Sequence, residues 1–263
     1  MRLFPLSIFI AIVSIYLAIN HLGQTFASYF DFVAFVMVIG GTFAVSVAIF
    51  PWEYKRDLFQ SFKMIIVKEE AKYKRVIENC LQLLRGGTKE ITKMNLTRES
   101  LYERLLLDGV DMLDLSFNQT RLEHILREKL FHSAKRYRRI ANALRSLAKY
   151  PPAFGLSGTV LGLVNIMKGL NSGLDAKHVA MEMSLALVAT FYGLLIANLF
   201  INPAGELVLK KAQEEEDLGE IALQTLLMLN KNASILEAQE VLNSLAPEEQ
   251  RIDIVDQQND EAA

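Results

Sequence analysis

Two threonines carry the most pointed chemistry in this sequence. Thr159 lies in "YPPAFGLSGTVLGL" and Thr190 in "ALVATFYGLLIANLF", both apolar stretches without charge. Placed on helices at about 100° per residue, Gly155, Gly158, Thr159 and Gly162 share one stripe about 100° wide. Ala186, Thr190, Gly193 and Ala197 form the matching stripe of the second stretch. Taken singly, these residues predict packing. Gly158-x-x-x-Gly162 is a small-residue pair that lets apolar helices approach closely, and a lone Thr ordinarily bonds its own helix. Taken together, one hydroxyl on each of two small-residue faces suits a wall beside another helix or a water-filled path. The middles of the apolar stretches hold no Asp, Glu, Lys, Arg or His, the groups that mark proton relays and ion paths. If ions move along these hydroxyls, a partner has to supply the titratable carboxylate.

Other chemistries find no support. The single Cys80 excludes an internal disulfide and fits a reducing compartment, and four scattered His predict no metal site. "LRGGTKE" and "SGTVLG" lack the Gly-Lys-Ser/Thr ending of a phosphate loop, and neither GxSxG nor HExxH occurs, so the reading is not an enzyme and needs no cofactor. The basic run "KRYRR" at 135–139 reads as a patch attracted to anionic lipid, without nucleic-acid motifs.

The elements that must hold these residues follow from charge and hydropathy. The chain is 51% hydrophobic, and four stretches are free of Asp, Glu, Lys and Arg: between Arg2 and Asp31, 32–52, 150–167 and 183–205. Each is about long enough to cross roughly 30 Å of hydrocarbon at 1.5 Å per residue. The expectation is an all-α integral membrane protein, with four transmembrane helices and a helical cytoplasmic domain between the second and third. The first helix reads as retained, because no small-x-small site cleanly follows its apolar body.

Residues 53–149 carry 21 Lys/Arg against 13 Asp/Glu, whereas the short links within each pair of spans hold only Lys168 and Lys177. Basic loops stay cytoplasmic. Both termini and the middle domain are therefore expected inside. The predicted divisions are 1–52, 53–149, 150–205 and 206–263. Apolar spacing predicts helices through Phe62, Ile65, Ile66, Val76, Ile77, Cys80, Leu81 and Leu84, along 120–150, and through 205–230 as a continuation of the fourth span. The polar, acidic end from Ala246 is expected to be disordered.

"PPAFGLSGTVLGLVNIM" followed by "ALVATFYGLLIANLFINPAGEL" resembles the third and fourth membrane helices of the MotA/PomA flagellar stators, within the MotA/TolQ/ExbB superfamily. The layout resembles that family along essentially the whole chain, specifically in these two spans and loosely in the middle domain. The resemblance implies a homo-oligomeric ring in the bacterial inner membrane around a MotB/PomB-like, single-span, peptidoglycan-binding partner. That partner's membrane helix carries the essential aspartate. Proton or sodium flow past it drives rotation of a FliG-like rotor switch protein. By position, the resemblance implies ion-path roles for Thr159 and Thr190, mechanical roles for Pro152 and Pro203, and rotor contact for Arg85. The family's acidic rotor residues are out of register here, with Glu90 and Glu99 the nearest substitutes. Glu206 matches an acidic residue that follows the family's last proline. Thr159 resembles the sodium-driven members, but Ala189 stands where those often have a second Thr, so the coupling ion stays open.

Three alternatives remain at this stage. A TolQ/ExbB-like energiser shares the hydroxyl-bearing helix pair but is expected to have one span, not two, before its large cytoplasmic loop. A passive membrane scaffold would use both threonines for packing alone. A self-contained transporter is disfavoured by the lack of an internal acidic group.

Overall fold

The computed structural model describes residues 4–23, 29–50, 73–94, 96–98, 100–170, 173 and 175–252. Among them all regular structure is helical, with no strand. The α-helices are α1 (Phe4–His21), α2 (Phe32–Ile49), α3 (Tyr73–Gly86), α4 (Leu101–Asp114), α5 (Gln119–Leu147), α6 (Tyr150–Leu170), α7 (Ala176–Leu195), α8 (Asn202–Lys231) and α9 (Ile235–Ser244). Among the described residues, three runs are long and apolar enough to cross a membrane: Phe32–Ile49, Gln119–Leu170 and Ala176–Lys231. Leu6–His21 is a shorter apolar helix.

The chain forms two compact units, 1–68 with 139–209 and 69–138 with 210–263. In the first, α6 and α7 pack along their length and α2 packs on both. Ala34 and Val38 of α2 meet Val188 and Ala189 of α7 in a small buried cluster. Most other large side chains of this unit point outward, among them Phe9, Phe43, Leu156, Leu161 and Leu187. Such a surface is unfavourable in water and suited to lipid. Helix ends are capped as their sequences dictate. Asp31 accepts from the Ala34 amide (2.9 Å) to start α2, and Asp175 accepts from the His178 amide (3.0 Å) to start α7.

The second unit has an ordinary globular core. Ile77, Cys80 and Leu83 of α3 pack with Leu105 and Leu106 of α4, Leu122 and Leu126 of α5, Ile221 and Leu226 of α8, and Leu242 of α9. Helix α4 has no counterpart in the sequence expectations. Its signal is a capping box, Ser100-x-x-Glu103, in which the Ser100 hydroxyl accepts from the Glu103 amide (3.4 Å). The buried carboxylate of Glu215 also accepts from the Leu101 amide (3.0 Å), satisfying a second orphan donor of the same helix.

Two expectations change here. Residues 246–252 are ordered, and Ile252 is buried. The Asn243 side chain accepts from the Ile252 amide (2.9 Å) and donates to its carbonyl (2.7 Å), and Gln239 donates to the same carbonyl (2.7 Å). The Gln250 side chain accepts from the Tyr73 amide (3.0 Å), closing the end of the chain onto the start of α3. Composition predicted disorder from Ala246. These local bonds and one apolar anchor order 246–252, and residues 253–263 lie outside the described set. The expected helical face at Phe62, Ile65 and Ile66 also lies outside it.

Candidate functional site: the α6–α7 seam

The glycine stripe of α6 is filled by α7 of the same chain. A Cβ at Gly155 would stand 2.8 Å from the Ala189 carbonyl oxygen and 2.8 Å from Thr190 Cα. One at Gly158 would stand 2.7 Å from Ala189 Cβ, and one at Gly162 would stand 2.9 Å from Ala186 Cβ. From the other side, a Cβ at Gly193 would strike the Pro151 carbonyl and lie 2.9 Å from Pro152 Cα. These glycines give up about 1 kcal/mol of helix propensity each. In return, the two backbones touch along several turns. Ala186 and Ala197 are buried as well, at 6% and 1% exposure.

The threonines divide the work between them. Thr190 donates across the seam to the Gly155 carbonyl (3.2 Å), a contact open only because residue 155 has no side chain. Thr159 donates within α6 to the Leu156 carbonyl (2.7 Å) and stays partly exposed. No hydrogen bond joins the two hydroxyls among the described residues. Ala189, where a second hydroxyl was in question, is 1% exposed and sits over Gly158. A larger side chain there would have to enter space that Gly158 leaves only for a methyl group.

Tyr192 was not anticipated from sequence. Its hydroxyl donates to the Tyr29 carbonyl (2.6 Å) and accepts from the Asp31 amide (3.1 Å). Phe35 packs edge-on against its ring at 6.4 Å. One phenol thus pairs two backbone groups left over at the start of α2, groups that are costly to leave unpaired in an apolar setting. The sequence held one clue, a polar-tipped aromatic two residues after Thr190 in an apolar run.

Below Tyr192 the helix changes its period. Ile196–Ile201 form a π turn, and the Asn202 amide reaches back to the Ala197 carbonyl. Pro203 follows at once. Its ring lacks a donor and would collide with the carbonyl four residues earlier in a regular α-helix. One wider turn relieves that collision, and such turns recur at functional sites. Pro152 occupies the first turn of α6, where a missing N–H costs nothing.

The ends of α6 and α7 nearest their connecting link carry polar groups. Asn165 of α6 donates to Glu182 of α7 (3.3 Å), and Asp175 meets the His178 ring at 2.6 Å. The bonds from His178, first of all its amide, hold the exposed Asp175 carboxyl below its usual range. In the second unit, Arg85 is exposed in the last turn of α3. Glu90 pairs with Lys93 (2.9 Å) beside it, and Glu99 lies outside the described residues. No group of three or more potential metal ligands occurs among the described residues.

Residues 97–220, which contain the entire α6–α7 seam and the π turn, match the MotA/TolQ/ExbB proton channel family. The chain carries a MotA/TolQ/ExbB-family domain. Over a longer stretch that includes much of this domain, the chain is 23% identical over 229 residues to the uncharacterized protein YtxD of Bacillus subtilis, covering 86% of this chain and 83% of that protein. It is 26% identical over 208 residues to Motility protein A of Aquifex aeolicus, with 75% and 77% covered. The fold superimposes on the MotAB structure from C. jejuni with a TM-score of 0.82 at 16% identity, spanning 96% of this chain and 99% of that one. The MotA/TolQ/ExbB-family domain thus holds Thr159, Thr190, Pro152 and Pro203, whereas Arg85 and Glu90 precede it.

Proposed function

We propose that this chain is the ion-conducting stator subunit of a bacterial flagellar motor, a multi-pass protein of the inner membrane. The observation that carries the reading is a coincidence of place. The family domain covers the two apolar helices whose small-residue faces meet around a single inter-helix hydroxyl, Thr190. Relatives that align over three quarters of the chain include Motility protein A of Aquifex aeolicus, and the fold likeness is to MotAB complexes.

On this reading four spans, α1, α2, α6 and α7, cross the membrane, and both termini are cytoplasmic. The chain forms a ring around a MotB-like partner, whose membrane helix brings the carboxylate that this chain lacks. Ions pass that carboxylate beside Thr159 and Thr190. The seam is already closed by α7, so the partner faces the edge of the α6–α7 pair, where Thr159 is still partly exposed. Pro152 and Pro203 bound the segments that move, Pro203 with its π turn. Arg85, with Glu90 and Glu99, contacts a FliG-like rotor protein from the cytoplasmic side.

Thr190→Val keeps the shape of the side chain and removes the bond to Gly155, and Pro152→Leu alters the start of α6. Expressed in place of the native chain, both variants are expected to reach the membrane at normal levels and to leave cells non-motile. Normal swimming by either variant would count against the stator reading.

A further inference from the structure

We propose that Arg145 is a clasp that locks α5 to α8 beside the two prolines, so that the paired helices move as one body. The inference rests on the stator reading, in which motion of the proline-bounded segments is the output.

Arg145 stands about two turns before Pro152, and Glu206 about one turn after Pro203. The Arg145 guanidinium gives two bonds to one Glu206 oxygen, from Nε at 3.0 Å and from the terminal nitrogen at 2.7 Å. Isolated exposed ion pairs contribute little. This one is built onto a joint. A Cβ at Gly205 would stand 3.3 Å from Arg145 Cγ and 3.4 Å from the Ala141 carbonyl, so α8 lies directly on the arginine's stem. Beneath it, Ile140, Ala141 and Leu144 bury themselves against Ala204 and Val208. The stem packs on one residue while the head grips the next, which fixes both the spacing and the rotation of α8 about α5. A Lys offers one donor point where this geometry uses two.

Both helices run on well past the clasp, α5 back to Gln119 and α8 forward to Lys231. With the clasp closed, a twist at the π turn moves both. With it open, the twist is absorbed at the joint. Arg145 acts through Glu206 and the joint, so it is a positioning residue with no contact to the ion.

The test is a charge swap read in two ways. In membrane-embedded protein, Arg145→Glu and Glu206→Arg should each speed amide exchange over 204–209 about two- to fivefold, and the double variant should restore protection. In motors carrying a bead load, each single variant should lower the torque added per incorporated stator by at least half. The double variant should recover most of that torque, and Arg145→Lys should fall between. Unchanged exchange in both single variants, or a double variant no better than the worse single, overturns the clasp. Faster exchange with undiminished torque overturns its mechanical role. If even the unaltered chain drives no rotation, the stator reading falls, and exchange still decides whether the clasp exists.

Discussion

At the scale of residues, burial decides what each polar group can do. Cys80 is fully buried in the second unit, and burial pushes its thiol up to about 12 despite a weak opposing bond from Thr225. Tyr102 is likewise pushed up to about 12, first by burial and then by the neighbouring Glu103 charge. A group whose folded value lies above its unfolded one favours the folded state below the unfolded value, and that contribution is lost as pH rises. For Cys80 the window runs from about 9 to about 12. Iodoacetamide at pH 8 is therefore expected to leave Cys80 unmodified until denaturant unfolds the unit. The denaturation midpoint should hold steady up to about pH 9 and fall beyond it. Alkylation of the native protein at pH 8 would contradict the packing described. At this scale the sequence singled out Thr190 as a hydroxyl in an apolar face, but not its bond, which goes to Gly155 of the neighbouring helix where a lone Thr ordinarily bonds its own. It was silent on Tyr192, because a phenol's partners at Tyr29 and Asp31 are more than 150 residues away in the chain.

At the scale of elements, charge-free length and 3.6-residue spacing located the apolar helices and the face of α3 well. Periodicity identifies a face without naming its occupant. That is why the glycine stripe was readable in advance, while its filling by α7 of the same chain was not. The π turn escaped because the change of period spreads over Ile196–Ile201 and composition there is ordinary apolar sequence. The ordered end of the chain escaped because a few specific bonds outweighed a polar composition. That ordering has a measurable consequence. Asn243→Ala removes two of the three side-chain bonds holding Ile252, leaving its amide unpaired in a buried place. The expected cost is about 1–3 kcal/mol. It should appear as a lower denaturation midpoint and faster exchange at the Ile252 amide. A variant as stable as the parent would show that the end of the chain contributes nothing to the unit. Pro203→Ala bears on the π turn. It removes the ring that collides with the preceding turn, so the variant is expected to insert normally, stiffen the Ile196–Ile201 segment against amide exchange, and drive swimming more slowly.

At the scale of the whole molecule, the absence of an ionisable group from the middle of the apolar helices becomes the organising fact. Apolar helices that offer hydroxyls but no carboxylate in their middles can line an ion path and leave its titratable group to a partner. On the proposed function, ion flow belongs to this chain together with a single-span partner bearing a membrane aspartate. Proton and sodium uptake decides this, followed in energised membrane vesicles containing this chain alone, the chain with its partner, or the chain with an Asp→Asn partner. Uptake is expected with the intact pair, falling to background for the chain alone, for the Asp→Asn pair, and for the pair carrying Thr190→Val. Uptake by the chain alone, or undiminished uptake with the Asp→Asn partner, would overturn an ion path shared between the two proteins.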